Sequence, residues 1–279
     1  MIMMSKIWFI TGASRGFGRL WTEAALKRGD RVAATARDVT ALEPLVRRFG
    51  DAVLPLALDV TDRKAVFDSV ERAVERFGGL DVVVNNAGYG LFGMVEELTE
   101  AELRAQMETN FFGTVWVTQA VLPVLRAQRS GRIMQVTSEG GVRAYPGIGG
   151  YHASKWAVEG LSESLAQEVA SFGVHVTAVE PGPYATDFGA STSMRTTDRH
   201  PDYAGVHEAT DKEWILGDPA ATADAIFTIA DAENPPRRIV LGHTLPEIED
   251  IYAERLRVWR EWAPVTKAAF GERIVPEPA

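Results

Sequence analysis

At 279 residues, with 46% apolar and 24% charged side chains, the chain has the composition of a soluble globular protein with ample core for one large α/β domain or two small ones. A formal charge of −9 argues against a nucleic-acid or anionic-membrane surface, which needs a basic excess. The absence of cysteine excludes disulfides, zinc–thiolate sites and thiol nucleophiles.

In chain order, the apolar start "MIMMSKIWFITG" is too short to span a bilayer and lacks a small-residue cleavage site after its apolar run, so the expected location is cytoplasmic. Short β-rich runs fall at 6–10, 31–36, 52–58, 80–86, 132–138, 174–180 and 238–242. Helical spacing lies between them. Over 62–77, for example, Ala65, Val66, Ser69, Val70, Ala73, Val74 and Phe77 form one stripe. Strands as continuously apolar as "VVV" suit a parallel sheet covered by helices on both faces. Strict β–α alternation then implies right-handed crossovers and a doubly wound, Rossmann-like α/β fold of about seven parallel strands. With no repeat or linker, the expectation is a single domain with its core over 5–242.

Two segments interrupt this rhythm. Residues 183–217 are rich in Gly, Ser, Thr and Asp without a clear period, and a stretch that long inside a compact domain reads as a substrate lid. Residues 245–262 return to helical spacing, with Leu245, Ile248, Tyr252, Leu256, Trp259 and Trp262 on one stripe, and open a helical tail over 243–279.

The first chemical signal is "ITGASRGFGRL", where the first strand ends and a helix begins. Gly12, Gly16 and Gly18 let the backbone turn tightly and approach a ligand, while the following helix points its N-terminal amides at the same spot. The general dinucleotide fingerprint is G-x-G-x-x-G, and this G-x-x-x-G-x-G spacing departs from it. A second signal is "GYHASKWAVEG", in which Tyr151 and Lys155 stand one helical turn apart and share a face.

"TGASRGFG" resembles the TGxxxGxG element of the short-chain dehydrogenase/reductase family, and further elements of that family follow in order: "NNAG" at 85–88, Asn110 in "NFFG", Ser138, the Tyr151/Lys155 pair, "PG" at 181–182 and Thr186. The resemblance covers about residues 5–242. It implies an oxidoreductase that interconverts a carbonyl and an alcohol by hydride transfer, with Tyr151 as general acid/base and Lys155 holding the nicotinamide ribose. Ser138 would fix the substrate oxygen, and Asn110 would hold a water in the proton relay. The resemblance further implies a cofactor site formed by Gly12, Ser14, Arg15, Gly16, Phe17, Gly18, Arg37, Asp59, Val60, Asn86, Ala87, Gly88, Tyr151, Lys155, Pro181, Gly182 and Thr186. A free tyrosine, with a pKa near 10, is too weakly ionised to act as a base at neutral pH, and a nearby ammonium favours its phenolate.

Cofactor choice rests on "RVAATARD". NAD-binding folds place an acid about 20 residues beyond the glycine loop to hold the ribose 2′-hydroxyl. Here that position is Ala36, followed by Arg37, with Arg15 inside the loop, so two cations converge where the acid is missing and NADP(H) is expected over NAD(H). Asp38 is the dissenting residue, able to turn inward or to cap the helix near 40. Asp59 either contacts the adenine or caps the helix near 62. The histidines at 152, 175, 200, 207 and 243 lack metal-ligand spacing and read as surface or structural residues.

The substrate wall is expected from 89–95, 139–148 and the lid, with Tyr89, Leu91, Phe92, Val142, Tyr145, Tyr184, Phe188, Met194 and Trp214 as lining residues. Such walls suit a mid-sized hydrophobic ketone or secondary alcohol, although Arg143, Arg195 and Arg199 offer cationic contacts. The expected partners are this small molecule and other copies of the chain, with helices near 99–128 and 151–171 pairing across a two-fold axis in a dimer or tetramer. Neither a nucleic acid nor a membrane is expected. The alternative reading is a non-catalytic NADP-binding redox regulator.

Overall fold

The computed structural model describes residues 5–186, 193–211 and 214–272. Strands and helices alternate from the N-terminus: β1 (Ile7–Ile10), α1 (Gly16–Lys27), β2 (Arg31–Ala36), α2 (Glu43–Phe49), β3 (Val53–Ala57), α3 (Arg63–Phe77) and β4 (Val82–Asn85). After β5 (Gly90–Phe92) come α4 (Glu100–Met107), α5 (Gly113–Gln128), β6 (Gly131–Val136), α6 (Gly149–Val169) and β7 (Val174–Pro181). Then follow β8 (Met194–Thr196), α7 (Ala204–Thr210), α8 (Thr222–Asp231), β9 (Arg238–Leu241), α9 (Leu245–Glu261) and α10 (Ala263–Phe270).

Seven strands form one parallel sheet in the order β3-β2-β1-β4-β6-β7-β9, the doubly wound architecture that the alternation predicts. Neighbouring residues on one strand serve opposite layers. Phe9, Val83 and Ile133 pack beneath α3, α5 and α6, whereas Trp8, Ile10, Val82, Val84 and Met134 pack beneath α1, α2 and α8. Buried indoles keep polar partners: Trp8 donates to Asp30 at 2.8 Å and Trp21 to Thr222 at 2.8 Å. The strand order reverses direction between β1 and β4, so the crevice that receives a ligand opens at the carboxyl ends of these strands.

Three features differ from the sequence reading. The long helix expected near 99–128 is two helices, α4 and α5, joined by a π-turn at Glu108–Phe112. The aperiodic lid contains β8 and α7, and β8 pairs in parallel with β5 as a separate two-stranded sheet. Such three-residue strands leave no usable period in a sequence. Helix α3 is capped by Asp62, which accepts from Ala65 N at 3.0 Å; Asp59 instead closes the turn before it, accepting from Thr61 N at 3.0 Å.

The chain divides into two compact units, Met1–Gly242 and His243–Ala279. In the second, α9 and α10 follow one another directly; along the α9 stripe Ile248 is buried while Leu245, Tyr252, Leu256, Trp259 and Trp262 are exposed. Among the described residues no helix is long and apolar enough to cross a membrane.

Candidate active site

The strand-to-helix turn after β1 is built by glycine. Gly12 and Gly16 have φ of +68° and +55°, the left-handed region that only glycine adopts freely. A Cβ on Gly18 would collide with the Gly12 carbonyl and lie 2.5 Å from Asn86 Nδ2, so α1 starts close under the loop. Asn86 Nδ2 donates to the carbonyls of Thr11 at 2.9 Å and Gly12 at 3.2 Å, tying the loop to the end of β4. Thr11 Oγ1 accepts from the amides of Asn86 and Ala87, each at 3.0 Å. The sequence reading overlooked Thr11, and also Asn85, whose amide donates to Gln135 at 2.8 Å and braces β4 against β6. The first turn of α1 carries no acidic residue, which leaves its positive end compatible with an anion.

A cavity of about 990 Å³ runs from this loop across the carboxyl ends of the strands. Gly12, Ser14, Arg15, Gly16, Phe17, Arg37, Asp59, Val60, Asn86, Ala87, Gly88, Pro181, Gly182 and Thr186 all line it, together with Ser138, Tyr151 and Lys155. Two residues of the sequence-derived set stand behind the wall instead. Gly18 is the close contact already described. Asn110, in the π-turn, accepts from Tyr89 N at 3.1 Å and donates to Tyr89 O and Ser154 Oγ, each at 3.0 Å. Its side-chain hydrogens are thus given to protein groups, and they lock the start of α6 to the strand that forms the substrate wall.

Tyr151 and Lys155 lie on the first turns of α6 with Lys155 Nζ 5.8 Å from the Tyr151 ring centre. Burial pushes the Tyr151 hydroxyl up to about 12, against a hydrogen bond with Ser138 that lowers it and the Glu139 charge that raises it further. Burial likewise brings Lys155 down to about 8, while the charge of Glu159 holds it up. The Lys155 ammonium donates to the Val136 carbonyl at 2.8 Å. The expected depression of Tyr151 by Lys155 is therefore absent from the protein alone, where desolvation dominates. Ser138 Oγ accepts from Gly140 N at 3.0 Å, which orients the hydroxyl at the tip of β6.

Asp38 lines the cavity next to Arg37 while holding Thr40. Its Oδ1 accepts from Thr40 N at 3.0 Å and Thr40 Oγ1 at 2.6 Å, capping the turn after β2. His152 is buried, with Nε2 accepting from Tyr145 N at 3.1 Å, so Nδ1 carries the hydrogen given to Gly140 O at 2.7 Å. It clamps the loop over the site rather than entering it. On the substrate side Tyr89, Phe92, Tyr145, Tyr184, Met194 and Trp214 line the cavity, whereas Leu91 and Val142 are buried behind it and Phe188 lies outside the described residues. Arg143 and Arg199 are paired with Glu139 at 2.9 Å and Asp211 at 2.7 Å.

Comparisons with known proteins agree with this geometry. Residues 6–196 match the short chain dehydrogenase family. The chain is 43% identical over 270 residues to oxidoreductase BOA17 of Botryotinia fuckeliana, covering 92% of this chain and 98% of that one. It is 36% identical over 278 residues to the 3-ketodihydrosphingosine reductase of Bacteroides thetaiotaomicron, covering 98% of each. A short-chain dehydrogenase from Streptomyces avermitilis superposes with a TM-score of 0.89 at 38% identity, covering 95% of this chain and 99% of that one. With its glycine turn, its seven-stranded parallel sheet and these relatives, the chain belongs to the short-chain dehydrogenase/reductase family of nicotinamide-dependent oxidoreductases.

Proposed function

We propose that the protein interconverts a carbonyl and an alcohol with NADP(H), acting on a mid-sized hydrophobic substrate. The observation that carries this reading is the convergence of Tyr151, Ser138 and Lys155 on the wall of the same cavity that the glycine turn opens into. The residues fit the cofactor, because the turn of Gly12, Ser14 and Gly16 lines the cavity and the first turn of α1 carries no acidic residue to repel a pyrophosphate. When bound, NADP(H) supplies or accepts the hydride. Held near 12, Tyr151 is a neutral phenol at neutral pH and is set to donate its proton to a carbonyl oxygen, with Ser138 fixing that oxygen. Lys155 would hold the ribose and favour the phenolate as the proton leaves. Asn110 positions the start of α6 through Ser154, and we retain it as part of the proton relay.

NADP(H) is favoured because Arg15 and Arg37 line the cavity beside Ala36; Asp38 lines it too, but its Oδ1 is held by Thr40 N and Oγ1. We assign the substrate wall to Tyr89, Phe92, Tyr145, Tyr184, Met194 and Trp214, with 183–217 as the lid. The carboxylate partners of Arg143 and Arg199 offset two of the three cations there, and the name of the Bacteroides relative supports an apolar ketone. The test mixes the protein with NADPH and a panel of hydrophobic ketones and follows nicotinamide absorbance. Oxidation with several of them is expected, whereas tight NADPH binding without turnover across the panel would replace this reading with a redox regulator.

A further inference from the structure

Helix α6 carries Tyr151 and Lys155 and, one turn further along the same face, Glu159. Glu159 is buried, as is Glu180 on β7. Among the described residues neither Glu159 oxygen has a hydrogen-bond partner, nor has Oε1 of Glu180. Just beyond β6, Thr137 faces Glu159, but its one hydroxyl hydrogen is given to the Val179 carbonyl at 3.0 Å. The Gly141 backbone closes another side, since a Cβ there would lie 3.1 Å from Glu159 Cγ. The charged groups facing the two carboxyls are Lys155 and Glu163 on α6 and Arg238 on β9. Arg238 Nη2 is 3.9 Å from Glu159 Oε2 and 3.2 Å from the exposed Glu163.

Two buried carboxylates with both oxygens of one and one oxygen of the other lacking a donor cannot both be charged at low cost, and one half-exposed guanidinium 3.9 Å from Glu159 offsets at most one of them. Burial raises both groups, Glu180 to about 7, where the charge of Glu159 raises it further and Arg238 opposes the rise. Such a pair titrates as a unit. Lys155 stands between this pair and the reacting groups, with its Nζ on the Val136 carbonyl.

We propose that Glu159 and Glu180 share one proton behind the active site and, through the charge they leave beside Lys155, act as positioning residues that keep the lysine cationic as the medium turns alkaline. The proposal rests on the reading of Tyr151 and Lys155 given above. Below neutral pH the pair holds its proton and Lys155 needs no help to stay charged. As pH rises the pair releases that proton, and the added negative charge holds the ammonium against the desolvation that would strip it.

The test uses the full chain without cofactor, so its outcome does not depend on turnover. The protein has six lysines, and Lys155 can be assigned by its absence in Lys155→Met and followed by NMR as pH is raised. Glu159→Gln is expected to lower the midpoint of Lys155 deprotonation by about one pH unit, the scale on which a neighbouring opposite charge acts. Arg238→Gln, at a half-exposed edge position that folding tolerates, favours the protonated pair and is expected to lower it as well. In the infrared, wild type at pH 6 should show the C=O stretch of a buried carboxylic acid, and Glu180→Gln should lose it because Glu159 then ionises alone. An unmoved lysine midpoint in Glu159→Gln, or no acid stretch in wild type at pH 6, overturns the proposal. Failure of every ketone to react would instead overturn the function and leave these two measurements standing.

Discussion

Tyr151 and Lys155 show how one environment acts oppositely on an acid and a base, since burial keeps the phenol protonated and strips the ammonium. Replacing Tyr151 with Phe removes only the proton-transfer group, so kcat should fall about 10²–10⁴-fold while NADPH affinity, measured by fluorescence titration, changes little. The folded value of Lys155 lies near 8 against an ordinary 10.5, so below pH 8 the fold carries the full cost of a buried ammonium, and that cost vanishes above 10.5. Lys155→Met should therefore raise stability at pH 7 by about 3 kcal/mol, less the loss of the Val136 hydrogen bond, while turnover disappears. Urea melts at pH 7 and pH 10.5 check this: the gain should shrink at the higher pH, and equal gains at both would refute it. Tyr151 and Lys155 were singled out by their one-turn spacing and, with Ser138, assigned through the family resemblance. The direction of the tyrosine shift was not legible, because desolvation depends on what packs over a residue, and a sequence does not show that.

At the scale of elements, the proposed preference for NADP(H) rests on the turn after β2. The double variant Arg15→Ala, Arg37→Ala should lose a preference for NADPH of about 10²-fold or more in kcat/KM, since each charge-assisted contact contributes about 1.5–3 kcal/mol. Equal use of NADH by wild type would refute the assignment. Ala36 and the arginines were visible in the sequence, but Asp38 was ambiguous, and in the structure it both caps the turn through Thr40 and lines the cavity. The strands and α3 were readable because their apolar period is sustained over many residues. The π-turn at Glu108–Phe112 was not, because one extra residue in a helical turn leaves the surrounding pattern intact; yet it is this bulge that brings Asn110 to both Tyr89 and Ser154. Glu97 escaped notice for a similar reason. Its side chain is fully buried and gathers Met94 N, His200 N and His207 Nε2, each at 2.7 Å, from segments about a hundred residues apart.

For the whole molecule, family resemblance and the surface of α6 point to self-association. Trp156 is 39% exposed on the side of α6 away from Lys155, and Gly160, one turn on, has open space around it. Light scattering should give two or four times the 30.5 kDa of one chain, and Trp156→Glu should reduce that mass; a wild-type monomer would remove the expectation.

The small parallel sheet of β5 and β8 has a consequence for the order in which the molecule assembles. Gly90 N reaches Ser193 O at 2.9 Å and Thr197 N reaches Phe92 O at 3.0 Å, so strands of three residues each close a loop of about a hundred residues. Little contact energy is returned for that entropy, and pairing of this kind comes after the central sheet has formed. It is also the first to open in the native state. The roof over the substrate is then the last part of the enzyme to be built and the first to be lost. In native-state hydrogen exchange the amides of Gly90 and Thr197 should exchange well before those of β4 and β6, and cofactor should slow them; protection equal to that of the central strands would show instead that the roof folds together with the sheet.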